Sequence, residues 1–198
     1  MTYRTAFRPL ALTILGLLLI VTQVSFTDAQ SIQDTSLYSN GKYGYMLTVP
    51  LNWNKYESEY TSLSGGSVNR LFLTQQTDLV SRPTKFFVMY VGTPESIFGL
   101  NKKVVQRVSR DQLVDFYIDQ AVNSSVDFRI VKTYTKGEGD SKVYVIEANA
   151  AEPGFRALST SYIQFKNDKV YIWISSYLDS FAVYAPTLQS VVNSVQIR

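Results

Sequence analysis

Apolar and polar positions fall into three patterns along the chain, and each predicts a different element. Alternation with a period of two marks half-buried strands. Residues 37–38 and 45–49 flank the turn-forming pair Asn40-Gly41 and read as a β-hairpin. In its second strand Tyr45, Leu47 and Val49 share one face. Pro50 stops that strand because it cannot continue the ladder, and Trp53 follows in the turn as an expected core anchor. Residues 62–67 form a Ser/Gly loop, and 70–74 read as a strand. Residues 85–91 are apolar on both faces, Phe87, Met89 and Val91 against Phe86, Val88 and Tyr90. A strand of that kind lies centrally, with a layer on each side.

Further strands are predicted at 128–135, 142–149, 156–166 and 169–178, separated by Gly137-Glu138-Gly139-Asp140, Pro153-Gly154 and Asn167-Asp168. In the last of them Val170, Ile172 and Ile174 face one way and Tyr171, Trp173 and Tyr177 the other. Helical spacing occurs twice. Leu113, Phe116, Tyr117 and Ala121 predict a helix over 110–123, with Ser109 as N-cap and Gln112 completing a capping box. Leu188, Val191, Val192 and Val195 predict a second, with Pro186 in its first turn. Residues 92–108 carry neither period and read as a long irregular stretch. The order predicts an α+β domain, helices packed on an antiparallel sheet.

The third pattern is at the N-terminus. Arg4 and Arg8 precede an apolar run over 10–21, and Thr27-Asp28-Ala29 follows a polar stretch. This is the layout of a secretory signal peptide over 1–29, with cleavage expected after Ala29. An uncleaved membrane anchor is the alternative, although the run falls short of the roughly 18–20 apolar residues of a full span. Residues 30–36 read as a polar tether and 37–198 as a single domain. The expected location is extracytoplasmic, with membrane contact only if the leader is retained.

Composition narrows the chemistry. The chain has 198 residues, no Cys and no His. Disulfides, thiolate nucleophiles, Ser-His-Asp triads and imidazole metal ligands are therefore excluded. A formal net charge of +3 is too mild to imply nucleic acid. No cofactor or metal is expected. The sequon Asn123-Ser124-Ser125 reads as the polar end of the first predicted helix, and glycosylation there depends on the host.

Two terminal motifs carry a family resemblance. Gly44-Tyr45-Met46-Leu47-Thr48-Val49-Pro50 followed by Trp53 resembles the first motif of PsbP-like domains. Leu188 and Val191-Val192-Asn193-Ser194-Val195-Gln196-Ile197 resemble the family's last helix, which runs into a terminal strand. The chain departs from the pattern at Met46, where a small polar residue is common, and at Val195, where an aromatic is common. The resemblance implies an α-β-α sandwich and a role in binding other macromolecules, as in the extrinsic lumenal subunit of photosystem II. It transfers no functional residue.

Three sets of side chains could carry function. Lys102, Lys103, Arg107 and Arg110 form a basic patch beside Ile97 and Phe98, which read as exposed. Together these six are the expected contact surface for another envelope or extracellular protein. Glu57 and Glu59 share one side of a strand and could serve a carboxylate-dependent hydrolase. Tyr171, Trp173 and Tyr177 could line a small-ligand carrier. Asp111, Asp115 and Asp119 recur every fourth residue, which suits a solvated helix face better than a calcium site needing six or more oxygens. The resulting expectation is an exported, non-catalytic binding or accessory domain.

Overall fold

A computed structural model describes residues 34–75, 84–124, 128–152 and 155–198. The leader, most of the tether and the Pro153-Gly154 break lie outside the described residues. Strands β1 (Thr35–Asn40) and β2 (Tyr45–Pro50) pair as the expected hairpin, from Asn40 opposite Tyr45 to Thr35 opposite Pro50. Thr35 and Ser36 thus belong to a strand and not to the tether. The turn spans four residues, 41–44. The Gly44 N–H donates to the Asn40 carbonyl at 2.9 Å, and Asn40 Oδ1 accepts from the Tyr43 N–H at 3.0 Å. The left-handed position falls on Gly44, with φ of 76°. An L side chain there is strained, so this glycine is required by backbone geometry.

A seven-stranded antiparallel sheet forms the middle layer. Its members are β3 (Asn54–Thr61), β4 (Ser67–Thr74), β5 (Lys85–Gly92), β6 (Phe128–Lys136), β7 (Val143–Glu152), β8 (Phe155–Lys166) and β9 (Lys169–Leu178). Their order is β3-β4-β5-β9-β8-β7-β6. The two strands with apolar residues on both faces, β5 and β9, are adjacent at its centre. Asn167 and Asp168 join β8 to β9 with φ of 52° and 57°, a turn that Asn and Asp tolerate.

Each face of this sheet has its own core. On one lie Phe87, Met89, Val91, Tyr171 and Trp173, all buried. They are covered by β2, Trp53 and the helix α4 (Ala185–Asn193), which contributes Leu188, Val191 and Val192. On the other lie Val170, Ile172 and Ile163 beneath α1 (Pro94–Phe98) and α3 (Arg110–Ser124). The α3 helix starts at the expected capping box: the Gln112 N–H donates to Ser109 Oγ and Gln112 Oε1 accepts from the Ser109 N–H. Between these helices lies α2 (Lys102–Val105).

The hairpin does not join the large sheet. With β10 (Gln196–Ile197) it makes a separate sheet in the order β1-β2-β10, Gln196 opposite Met46 and Ile197 opposite Tyr45. The chain's two terminal motifs therefore pair with each other. Ser194 Oγ accepts from the Thr48 N–H at 2.9 Å, and the Arg198 N–H donates to the Gly44 carbonyl at 2.8 Å. The architecture is α+β, an antiparallel sheet between helices, with the small sheet sharing the outer layer of α4.

Candidate functional site

Residues 92–108 are more ordered than their pattern predicts. Thr93 caps α1, accepting from the Ser96 N–H, and Pro94 sits in the first turn where its missing N–H costs nothing. Gly99 closes that helix at φ of 66°. Asn101 then caps α2 through Oδ1, which accepts from the Val104 N–H at 3.0 Å. Helices this short carry no 3.6-residue period, so the caps are their only local signal. The segment seats tightly: a Cβ on Gly92 would lie 2.6 Å from Ser96 Oγ and 3.2 Å from the Ser67 carbonyl oxygen.

This order divides the predicted contact surface. Phe98 is 3% exposed and stacks against Phe165 at 6.3 Å, while Ile97 packs against the same core. Both are packing residues, contrary to expectation, because α1 turns their side chains down onto the sheet. Arg110 is exposed but engaged, 3.8 Å from Asp140 and with its guanidinium 5.7 Å from the centre of the Phe165 ring. Lys102, Lys103 and Arg107 are exposed and have no ion-pair partner among the described residues. Val104, 40% exposed, stands among them.

The paired carboxylates are used up in holding the two sheets together. Glu57 accepts from the Tyr38 hydroxyl and Asn40 Nδ2 at 2.6 Å, and from Asn69 Nδ2 at 2.9 Å. Partial burial works against its charge, but the hydrogen bonds from Tyr38, Asn69 and Asn40 outweigh that and hold its pKa below the ordinary value. Glu59 accepts from Lys42 Nζ at 2.6 Å and from the Ser67 hydroxyl, and these bonds bring it down to about 2. A carboxylate pair for glycoside hydrolysis needs one member raised, to serve as the acid. Here both are lowered.

The aromatic face is filled rather than open. Tyr171 is 1% exposed and donates its hydroxyl to the Tyr43 carbonyl at 2.9 Å. Trp173, 5% exposed, stacks on Tyr162 at 5.5 Å. Tyr177 packs against the edge of the same core. The carrier reading fails because α4 and β2 occupy the space a ligand would need. On α3, Asp111 takes the Tyr144 hydroxyl at 2.6 Å and Lys142 Nζ at 3.1 Å, so the carboxylate stripe is partnered at one end. Among the described residues no three Asp or Glu side chains are placed to hold a metal.

Two features had no signal in the sequence. Lys85 is 5% exposed, its ammonium lies over the Tyr184 ring, and burial pulls its pKa down to about 8. Arg129 and Arg156 come together beside Asn149, on strands far apart in sequence.

No known family model and no curated protein matches the chain in sequence. In structure it is similar to cyanobacterial PsbP (CyanoP) from Synechocystis sp. PCC 6803, with a TM-score of 0.60 and 13% identity over 88% of this chain and 99% of that one. It also matches PA94, a protein of unknown function from Pseudomonas aeruginosa, at 0.49 and 11% identity, over 83% of this chain and 98% of that one. A third match is LpqN of Mycobacterium tuberculosis, described as involved in cell envelope biogenesis, at 0.45 and 15% identity over 83% and 90%. The first of these shows the fold: the chain has the PsbP-like architecture that its terminal motifs suggested.

Proposed function

We propose that the chain is an exported accessory domain that works without catalysis, contacting an acidic surface of another extracytoplasmic protein through Lys102, Lys103, Val104 and Arg107. The observation that carries this reading is the contrast in how charged groups are used. Glu57, Glu59 and Asp111 are all engaged by neighbouring donors, whereas the three cations around α2 project with no partner among the described residues. The PsbP-like fold is compatible with such a role, and the leader pattern supports export.

Unpaired rim cations speed encounter with an acidic partner and make binding depend on salt. An exposed valine among them supplies an apolar centre. Ile97 and Phe98 act beneath this surface by fixing α1, and Arg110 by bridging to Asp140.

The test is affinity capture with the tagged domain, residues 30–198, from an envelope extract of its own host, read by mass spectrometry. One near-stoichiometric protein is expected. It should be lost when Lys102, Lys103 and Arg107 are all changed to Glu, in a variant whose thermal midpoint is unchanged. Equal capture by that variant would reject the surface, and capture of nothing specific would reject the function.

A further inference from the structure

We propose that Arg129, Asn149 and Arg156 form a binding site for a phosphorylated polyol, on the sheet face that also carries α4. Strand register brings them together. Arg129 of β6 lies opposite Asn149 of β7, and Ala151, two residues further along β7, lies opposite Arg156 of β8. Side chains alternate along a strand, so all four share one face. They line a cavity of about 290 Å³ in which Ala151 leaves room between the longer side chains.

Three observations point to a ligand. Both arginines are exposed, and neither has an ion-pair or hydrogen-bond partner among the described residues. On the same face of β7, Glu147 lies opposite Lys132 and accepts from the Tyr134 hydroxyl at 3.0 Å, so it is engaged elsewhere. Asn149 Oδ1 is shielded from water and receives no hydrogen bond from the described residues. A buried acceptor left in that state is costly, and a turn of the Asn149 amide into the cavity it lines, where a ligand supplies a donor, offsets the cost. Finally, the β6–β7 ladder is interrupted by a bulge between Ile130 and Lys132, directly after Arg129. Bulges re-aim neighbouring side chains and are frequent beside binding sites.

The chemistry follows from the donors and the acceptor. Two guanidinium forks on strands about 9.6 Å apart need an anion with more than two oxygens to engage both. A carboxylate satisfies one fork, while a phosphate monoester offers three peripheral oxygens. A bare phosphate would give Asn149 Oδ1 little to bind. A hydroxyl two or three bonds from the phosphate group supplies the donor. The ligand is therefore a polyol phosphate monoester, either a free metabolite or a glycerophospholipid headgroup that itself carries such a monoester.

The experiment is a titration of the 30–198 domain, followed by backbone NMR shifts, with glycerol 3-phosphate, inorganic phosphate and glycerol as probes at constant ionic strength. Vesicles carrying phosphatidylinositol 4-phosphate, whose headgroup is a polyol bearing a phosphate monoester, are tested in parallel by sedimentation. Glycerol 3-phosphate should give saturable shifts centred on residues 129, 149 and 156, with inorganic phosphate at least fivefold weaker and glycerol silent. Arg129→Gln and Arg156→Gln should each weaken binding at least tenfold. Asn149→Ala should reduce glycerol 3-phosphate to the level of inorganic phosphate and leave the latter unchanged. Arginine-dependent sedimentation with vesicles, without a response to the soluble probe, would assign the headgroup as the source. The converse would assign a free metabolite. Equal affinity for phosphate and glycerol 3-phosphate would overturn the polyol assignment. No arginine-dependent response in either arm would overturn the site.

Discussion

Replacing Tyr45 by Phe removes one oxygen from the most enclosed part of the junction between the two sheets. Tyr45 is 1% exposed and its hydroxyl donates to Asn69 Oδ1 at 2.9 Å. Asn69 is 2% exposed and passes its own Nδ2 to Glu57, which also holds Tyr38 and Asn40 of the hairpin. The ring stays in Tyr45→Phe, so little apolar contact is lost. What changes is that Asn69 Oδ1 is left buried without a donor, at a cost of about 1–3 kcal/mol. For a domain of this size that is a fall in Tm of about 3–9 °C. Urea unfolding should show a lower midpoint with an unchanged slope, since the same surface is exposed on unfolding. The double variant Tyr45→Phe with Glu57→Gln should be less destabilised than the sum of the singles, because both act through Asn69. A Tm within 1 °C of the parent would refute the idea that this chain of hydrogen bonds fastens the small sheet to the large one.

Three further outcomes follow from other parts of the structure. Gly44→Ala should cost about 1–2 kcal/mol, because φ of 76° is strained for an L side chain. Gly41→Ala in the same turn should cost nothing, since it meets no atom within 4 Å, and thermal melts of the two variants separate these cases. Phe98→Ala should destabilise by about 3–5 kcal/mol in urea titrations, as for a core aromatic, against the few tenths expected of a surface contact. Glu57 and Glu59 have folded pKa values below their ordinary 4.5, so their contribution is complete above that value and is lost as pH falls toward about 2. Unfolding free energy measured across that window should drop, and the Glu57→Gln, Glu59→Gln double variant should flatten the slope.

Most of the fold was legible because its strongest signals are local. The two-faced patterns of β5 and β9 are those of strands covered on both sides, and these strands are adjacent at the centre of the large sheet. The Ser109 capping box marks the start of α3 within one residue. What was not legible depends on distant pairing or on very short elements. Nothing near Tyr45 announces that β2 leaves the large sheet and pairs with Gln196 and Ile197. α1 and α2 span five and four residues, too few to show a helical period, so Phe98 looked like part of an exposed loop. The same applies to the sites. Lys102, Lys103 and Arg107 could be read as a surface because they are consecutive or close in sequence. Arg129, Asn149 and Arg156 could not, because only the β6-β7-β8 register unites them.

The central claim, that this domain acts by binding a protein at α2, is tested most directly by amide hydrogen exchange of the 30–198 domain with and without the captured partner. Protection is expected at residues 101–108, reduced by added salt and absent in the variant with Lys102, Lys103 and Arg107 changed to Glu. Protection confined to another surface, such as β3 or the β6 edge, with residues 101–108 exchanging as in the free domain, would contradict it.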